Sequence, residues 1–235
     1  MLKHFMAIAT VVLSLVLPSL AASGNQEDVS RINASARVLH EVMNAPDDSI
    51  PQDLLDSAKC IAIIPGDKKA AFIFGGSYGK GVATCRTPQG WSAPVFLMIG
   101  GGSWGFQIGG SSTDIVMIVK SEHGMQSLLS DKFKLGADVS AAAGPVGRSA
   151  AVSTDLKLNA EILTYSRSKG AFAGISLDGA VVKTDQGADQ AMYGPNVDRQ
   201  QVLNGSVPIP PAAQPLIAEI GQYTNSRAAE NAGAR

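Results

Sequence analysis

From Cys60 onward the chain breaks into short apolar runs, most of them ended by glycine or proline, and that punctuation constrains the fold more than any other feature. Cys60–Ile64 closes on Pro65-Gly66-Asp67, a turn signal. Segments 70–74, 81–85, 94–99, 104–108 and 114–119 follow, most of them separated by glycine- or proline-rich turns. Runs of this length at this spacing predict strands of an antiparallel sheet or barrel. Further strand-like segments are expected at 134–142, 146–152, 161–166, 171–176 and 180–183. The 25 glycines cluster among these β-formers, which points to turns and bulges in a sheet rather than disorder.

Helices flank this region. Val29, Ile32, Ala36, Leu39 and Met43 recur at steps of three and four, which predicts one helix with a narrow apolar stripe. Pro51 suits the first turn of a short helix over 52–58. Ser121 can cap a helix running to about Ser130, and Asp185 begins another that ends at Gly194. Val207 to Pro211 is an extended connector, and Leu216, Ile217, Ile220 and Tyr223 mark a last amphipathic helix. The expected class is α+β, a mainly antiparallel sheet or barrel-like core with N-terminal and C-terminal helices.

The first residues read as an export signal. Lys3 and His4 precede an apolar run from Phe5 to Leu17, and Ser19 and Ala21 occupy the −3 and −1 places of a cleavage site. The run is shorter than the roughly 20 residues of a membrane span. The organisation expected is a signal peptide over 1–22, one domain over 23–227 and a disordered tail over 228–235. The location expected is exported, periplasmic or secreted, peripheral to a membrane if the chain is attached to one. Removing the leader leaves 18 basic against 20 acidic residues, net −2. That balance argues against bulk nucleic-acid binding, so attraction to an anionic surface requires a local patch.

Two cysteines remain, Cys60 and Cys85. An even count in an exported chain favours a disulfide, which would stabilise by about 3–4 kcal/mol. Two free thiols are the competing reading. A metal site would need more ligands than His40 and His123 add, and no metal or other cofactor is expected.

Three patterns imitate catalytic motifs. Gly101 to Gly105 fits G-x-S-x-G around Ser103, but strand-like residues follow where the hydrolase elbow needs a helix. Gly100, Gly102 and Gly105 fit G-x-G-x-x-G, again with no helix opening behind them. Gly75 to Lys80 approaches a phosphate-binding loop one residue short, with Gly81 in place of the magnesium-binding hydroxyl. The repeated Gly-Gly-Ser-aromatic-Gly fragments around Tyr78 and Trp104 are read as bends with the aromatic packed over the sheet, the alternative being exposed aromatic tips. Asp114, Asp138, Asp155, Glu161 and Asp178 are read as turn or solvent-facing groups.

Several segments in order resemble the SYLF family. The stretch from Ala137 to Val182, with Gly144-Pro-Val-Gly-Arg148 and Tyr165-Ser-Arg-Ser-Lys-Gly170, carries most of the likeness. The segments 54–65, 69–82, 90–94 and 105–110, with Asp114, add to it. The resemblance implies a binding protein, since eukaryotic SYLF members bind phosphoinositide membranes and actin. Their lipid binding is attributed largely to a basic amphipathic N-terminal segment. Here that region holds the leader and a helix bearing Arg31 and Arg37 beside Glu27, Asp28 and Glu41. Actin is not carried over to an exported chain.

The function expected is therefore a non-enzymatic envelope protein that binds anionic phospholipid or a membrane surface. Lys68, Lys69, Lys80 and Arg148 are the candidate contacts, in glycine-rich turns whose backbone N–H groups could take phosphate oxygens. The competing readings are a structural or interaction protein holding a protein partner, and a serine hydrolase using Ser103.

Overall fold

The structure, a computed structural model, describes residues 26–45, 49–66, 76–102, 113–147, 159–168 and 171–224. The expected leader, the expected tail, and the strands expected at 70–74 and 104–108 lie outside the described residues. The helices are α1 (Gln26–Met43), α2 (Gln52–Ser57), α3 (Glu122–Ser127), α4 (Gln186–Tyr193), α5 (Arg199–Leu203) and α6 (Gln214–Thr224). The strands are β1 (Cys60–Ile64), β2 (Gly76–Thr87), β3 (Gly90–Trp91), β4 (Val95–Gly102) and β5 (Thr113–Val119), followed by β6 (Lys132–Lys134), β7 (Ala141–Ala143), β8 (Ile162–Ser168), β9 (Ala171–Gly174) and β10 (Val181–Thr184).

These strands form one curled, half-barrel sheet in the order β6-β10-β4-β2-β1-β5-β8-β7, with β3 on β2 and β9 on β8. All pairings are antiparallel except β7 with β8. The expected α+β class and the helices at both ends are observed. The segment 134–142 is not one strand: Gly136 turns with φ 80° and splits it into β6 and β7. Residues 145–147 form no strand, and 148–152 lie outside the described residues. The helix α5 was not anticipated, because Arg199–Leu203 is too short to show a period.

β1 explains the two-layered packing. Its five residues are all buried and sit at the centre of the sheet. Side chains alternate between faces along a strand, so Ile61 and Ile63 enter one core and Cys60, Ala62 and Ile64 another. The first core joins Val82, Phe96, Val116 and Ile118 to Ile32, Leu39 and Val42 of α1 and to Leu216 and Ile220 of α6. The second joins Leu97, Ile99 and Met117 to Phe133, Leu135, Val182 and Leu203. Cys60 and Cys85 are direct partners in β1 and β2, with Cα atoms 3.9 Å apart, and are joined by a disulfide.

Glycines mark close approaches here rather than bends. The described parts of both Gly-Gly-Ser fragments lie inside β2 and β4, with Gly76 paired to Gly102 and Tyr78 to Gly100. This corrects the bend reading, and Tyr78 is 50 % exposed instead of packed over the sheet. Trp104 lies outside the described residues. A Cβ on Gly144 would stand inside the Tyr165 ring, which stacks on Phe172 with centroids 5.3 Å apart. The family-like Gly144-Pro-Val segment is therefore a packing requirement.

Glu161 ties the far end together. Its carboxylate accepts hydrogen bonds from Ser121 Oγ (3.0 Å), His123 Nδ1 (2.8 Å) and the N–H and hydroxyl of Ser140 (2.9 and 3.0 Å). Burial alone would raise its pKa, but the hydrogen bonds from Ser140, His123 and Ser121 outweigh it and hold the carboxyl at about 2. Among the described residues no helix is long and apolar enough to cross a membrane.

Three outcomes follow from this packing. Alkylation without reductant should leave Cys60 and Cys85 unmodified by mass spectrometry, and reduction should destabilise the domain by about 3 kcal/mol. Gly144→Ala should cost about 1–3 kcal/mol in denaturant unfolding, because Tyr165 has to leave its stack. Glu161→Gln should cost about 1–2 kcal/mol at neutral pH. Because the folded pKa is depressed, the wild-type advantage is present above about pH 4.5 and is lost as pH falls toward about 2, so the two unfolding curves should converge in acid.

Candidate functional site

The helix layer on the first core stops at Phe96, and charged groups make the boundary. The Arg31 guanidinium lies 5.1 Å from the Phe96 ring centroid and pairs with Asp28 at 3.1 Å and Asp185 at 2.9 Å. The backbone of Phe96 is held as well. Its N–H donates to Asp189 at 2.8 Å, and its carbonyl accepts from Arg199 at 2.9 Å and from the Asp185 N–H at 3.1 Å. Arg199 also pairs with Asp189. Burial pushes the Asp189 carboxyl up to about 6, with Arg199 and the Phe96 N–H pulling the other way. Arg31 and Asp189 are almost wholly enclosed, so these charges serve one another and face no ligand.

Beyond Phe96 the same face of the sheet continues past most of the helix layer, with only the first turn of α1 among the described helices reaching its lysines, through Glu27. The register places Lys80 of β2, Met98 of β4, Lys183 of β10 and Lys132 of β6 in one row across four strands. The next row outward is Tyr78, Gly100, Val181 and Lys134. Phe133, between Lys132 and Lys134, and Val182, next to Lys183, point into the second core, which turns Lys132, Lys134 and Lys183 outward. The three are exposed, and among the described residues none forms an ion pair with a carboxylate. Tyr78 donates its hydroxyl hydrogen to Met98 Sδ at 2.8 Å, which sets an exposed ring between the lysines.

This arrangement has a folding cost. Lys183 and Lys132 are direct cross-strand partners, and like charges so placed destabilise a sheet by a few tenths to about 1 kcal/mol. Lysines on an edge strand such as β6 protect it from pairing with other chains. That explanation does not reach Lys183, because β10 is flanked on both sides by β6 and β4.

Of the residues expected from sequence, Lys80 lies in this site, but not in a phosphate-cradling turn. It sits in a paired strand whose backbone is engaged by β4, and its ammonium meets Glu27 of α1 at 3.0 Å. That hydrogen bond raises the pKa of Lys80 and lowers that of Glu27. Lys68, Lys69, Arg148 and Ser103 lie outside the described residues. Lys132, Lys134 and Lys183 were missed. Lys-Phe-Lys at 132–134 has the strand alternation that could have exposed them, but its partnership with β10 and β4 is tertiary.

Other polar groups have structural work. Arg86 donates to the carbonyls of Leu55, Asp56 and Ala58 at the end of α2 and stacks on Trp91 at 4.7 Å. Arg167 pairs with Asp114 and Glu41. Ser121, His123 and Glu161 come together, yet the serine and histidine both donate to the same Glu161 oxygen, and Ser121 also caps α3 by accepting the Gly124 N–H. A nucleophile must hydrogen-bond to its base, and here both converge on a carboxylate instead. Among the described residues no cluster of three or more His, Cys, Asp or Glu is placed to hold a metal ion.

Residues 100–223 match the Ysc84 family model, described as Las17-binding protein actin regulator. Protein YSC84 of Saccharomyces cerevisiae is 38% identical over 175 residues, 73% of this chain and 37% of its own length. LAS seventeen-binding protein 3 of the same yeast is 37% identical over 191 residues, 80% of this chain and 41% of its own. Human SH3 domain-containing YSC84-like protein 1 is 30% identical over 213 residues, 88% and 61% respectively. The chain thus spans less than two thirds of these relatives' lengths. The matched segment contains Lys132, Lys134 and Lys183 but begins after Lys80 and Glu27. The chain belongs to the Ysc84 family, the SYLF family that its own motifs resemble.

Proposed function

We propose that the protein is a non-catalytic binding module of the cell envelope that docks on anionic phospholipid surfaces through the lysine row. The observation that carries this reading is the direct pairing of Lys183 with Lys132, flanked by Lys134, Lys80 and the exposed Tyr78. Cations on adjacent strands repel one another in the free protein and are relieved by a surface rich in phosphate. Tyr78, apolar in body and polar at its tip, suits the interface between headgroups and acyl chains. The envelope location rests on the leader read from residues 1–22. Ser103→Ala should leave every binding property unchanged, and a fluorophosphonate probe that labels Ser103 would overturn the non-catalytic reading.

A protein partner is the second reading. It is favoured by the family model's description, Las17-binding protein actin regulator, and by the name of one relative, LAS seventeen-binding protein 3. An acidic protein surface would also complement the lysine row, and the two readings part in a purified system.

The processed chain, from which residues 1–22 are removed, should co-sediment with vesicles of phosphatidylcholine and phosphatidylglycerol and should not do so with phosphatidylcholine alone. The double variant Lys132→Gln with Lys183→Gln should bind about 30-fold more weakly at low salt, at about 1 kcal/mol per lysine. Binding should fall as salt rises, because the charges are exposed. If the wild-type chain stays in the supernatant with anionic vesicles at low salt, the lipid reading fails and the protein-partner reading takes its place.

A further inference from the structure

We propose that Glu27 is an internal competitor for the lysine row and sets the anionic charge density at which the face engages a membrane. The inference rests on the lysine-row reading and deepens it. Glu27, Asp28 and Asp185 are carboxylates near Arg31 and Lys80 at this end of the sheet. Asp28 and Asp185 are largely enclosed and held by Arg31, at 3.1 and 2.9 Å. Glu27 is different: its side chain is 62% exposed, it lies 3.6 Å from an Arg31 already matched by nearer acids, and it reaches Lys80 at 3.0 Å. It is thus the acid of α1 that enters the row.

A carboxylate oxygen and a phosphate oxygen accept the same Lys80 N–H donors, so occupancy by one excludes the other. The Glu27–Lys80 pair is exposed on both sides, and exposed ion pairs are weak and screened by salt. A tethered carboxylate can hold Lys80 against sparse phosphates, but a densely anionic surface supplies many competitors at once. Lys80 is then drawn into the row and adds to Lys183 and Lys132, which are available throughout. The consequence is a steeper dependence of binding on anionic lipid content than three or four independent lysines would give.

The experiment is vesicle co-sedimentation across a series of rising phosphatidylglycerol content in phosphatidylcholine. It uses the processed wild-type chain and three comparisons: Glu27→Gln, Glu122→Gln, and Glu27→Gln combined with Lys80→Gln beside Lys80→Gln alone. Glu122 is an equally useful acid for comparison, because it is exposed, pairs with Lys59 at 3.2 Å and lies at the opposite end of the sheet. Glu27→Gln should bind about fivefold more tightly at low anionic content, the effect of one charge near a surface, and its binding curve should be shallower. Glu122→Gln should match wild type, and the gain from Glu27→Gln should vanish in the Lys80→Gln background. Equal binding by wild type and Glu27→Gln, an equal gain from Glu122→Gln, or a gain that survives Lys80→Gln would each overturn the inference. If wild type binds and loses affinity with Lys132→Gln and Lys183→Gln yet ignores Glu27, only the Glu27 inference falls. If no protein sediments at any content, the lysine-row reading falls and takes the inference with it.

Discussion

The hold on Phe96 is the constraint from which the rest of the molecule can be understood. One residue of β4 has its ring under Arg31, its N–H on Asp189 and its carbonyl on Arg199 and Asp185. Those partners come from α1, from the start of α4 and from α5, so three helices are fastened to one point of the sheet. Removing one member of such an enclosed pair strands the other charge, which costs about 3–5 kcal/mol. The network therefore specifies where the helices sit, whatever its net contribution to stability.

That fastening also decides where the sheet is left bare. Strand β2 continues past Val82 to Lys80 and Tyr78, and β4 continues past Phe96 to Met98 and Gly100, where the first turn of α1 still touches Lys80 through Glu27. The residues on this extension alternate as on any strand, with one face still packed through Ile99 and Val182. The other face carries lysines, and among the described residues the first turn of α1 reaches it through Glu27. The exposed lysine face arises here because the sheet extends past the helices that pack on its first core.

The charges of the domain divide accordingly. Arg31, Arg86, Arg167 and Arg199 all meet carboxylates, carbonyls or aromatic rings and build the fold. The unengaged cations of the described sheet are lysines. This follows from chemistry: the planar guanidinium satisfies several fixed acceptors at once, whereas the ammonium is a mobile, strongly hydrated point charge suited to a fluid anionic surface.

Much of the architecture was legible along the chain. The apolar runs named most of the strands, the three-and-four spacing of Val29 to Met43 named α1, and Asp185 and Gly194 bounded α4. The Cys60–Cys85 pairing was also open to inference, since both sit in strand-like runs of one meander. What local pattern could not show is which strands are neighbours. Lys80, Lys132 and Lys183 are separated by tens of residues, and they share a row only because β10 inserts between β6 and β4. The glycine-rich fragments misled for a related reason. Glycine permits a bend, but at Gly79 and Gly81 of β2 it permits close approach to the Ile63 carbonyl and the Ile64 side chain of β1, and sequence alone does not distinguish the two uses. The sequence by itself determined the strand periodicity, the family and the means of closing the core, because those depend on residue type and near neighbours. The tertiary structure decided the site, because a field of like charges is made by non-local register and by where the covering helices end.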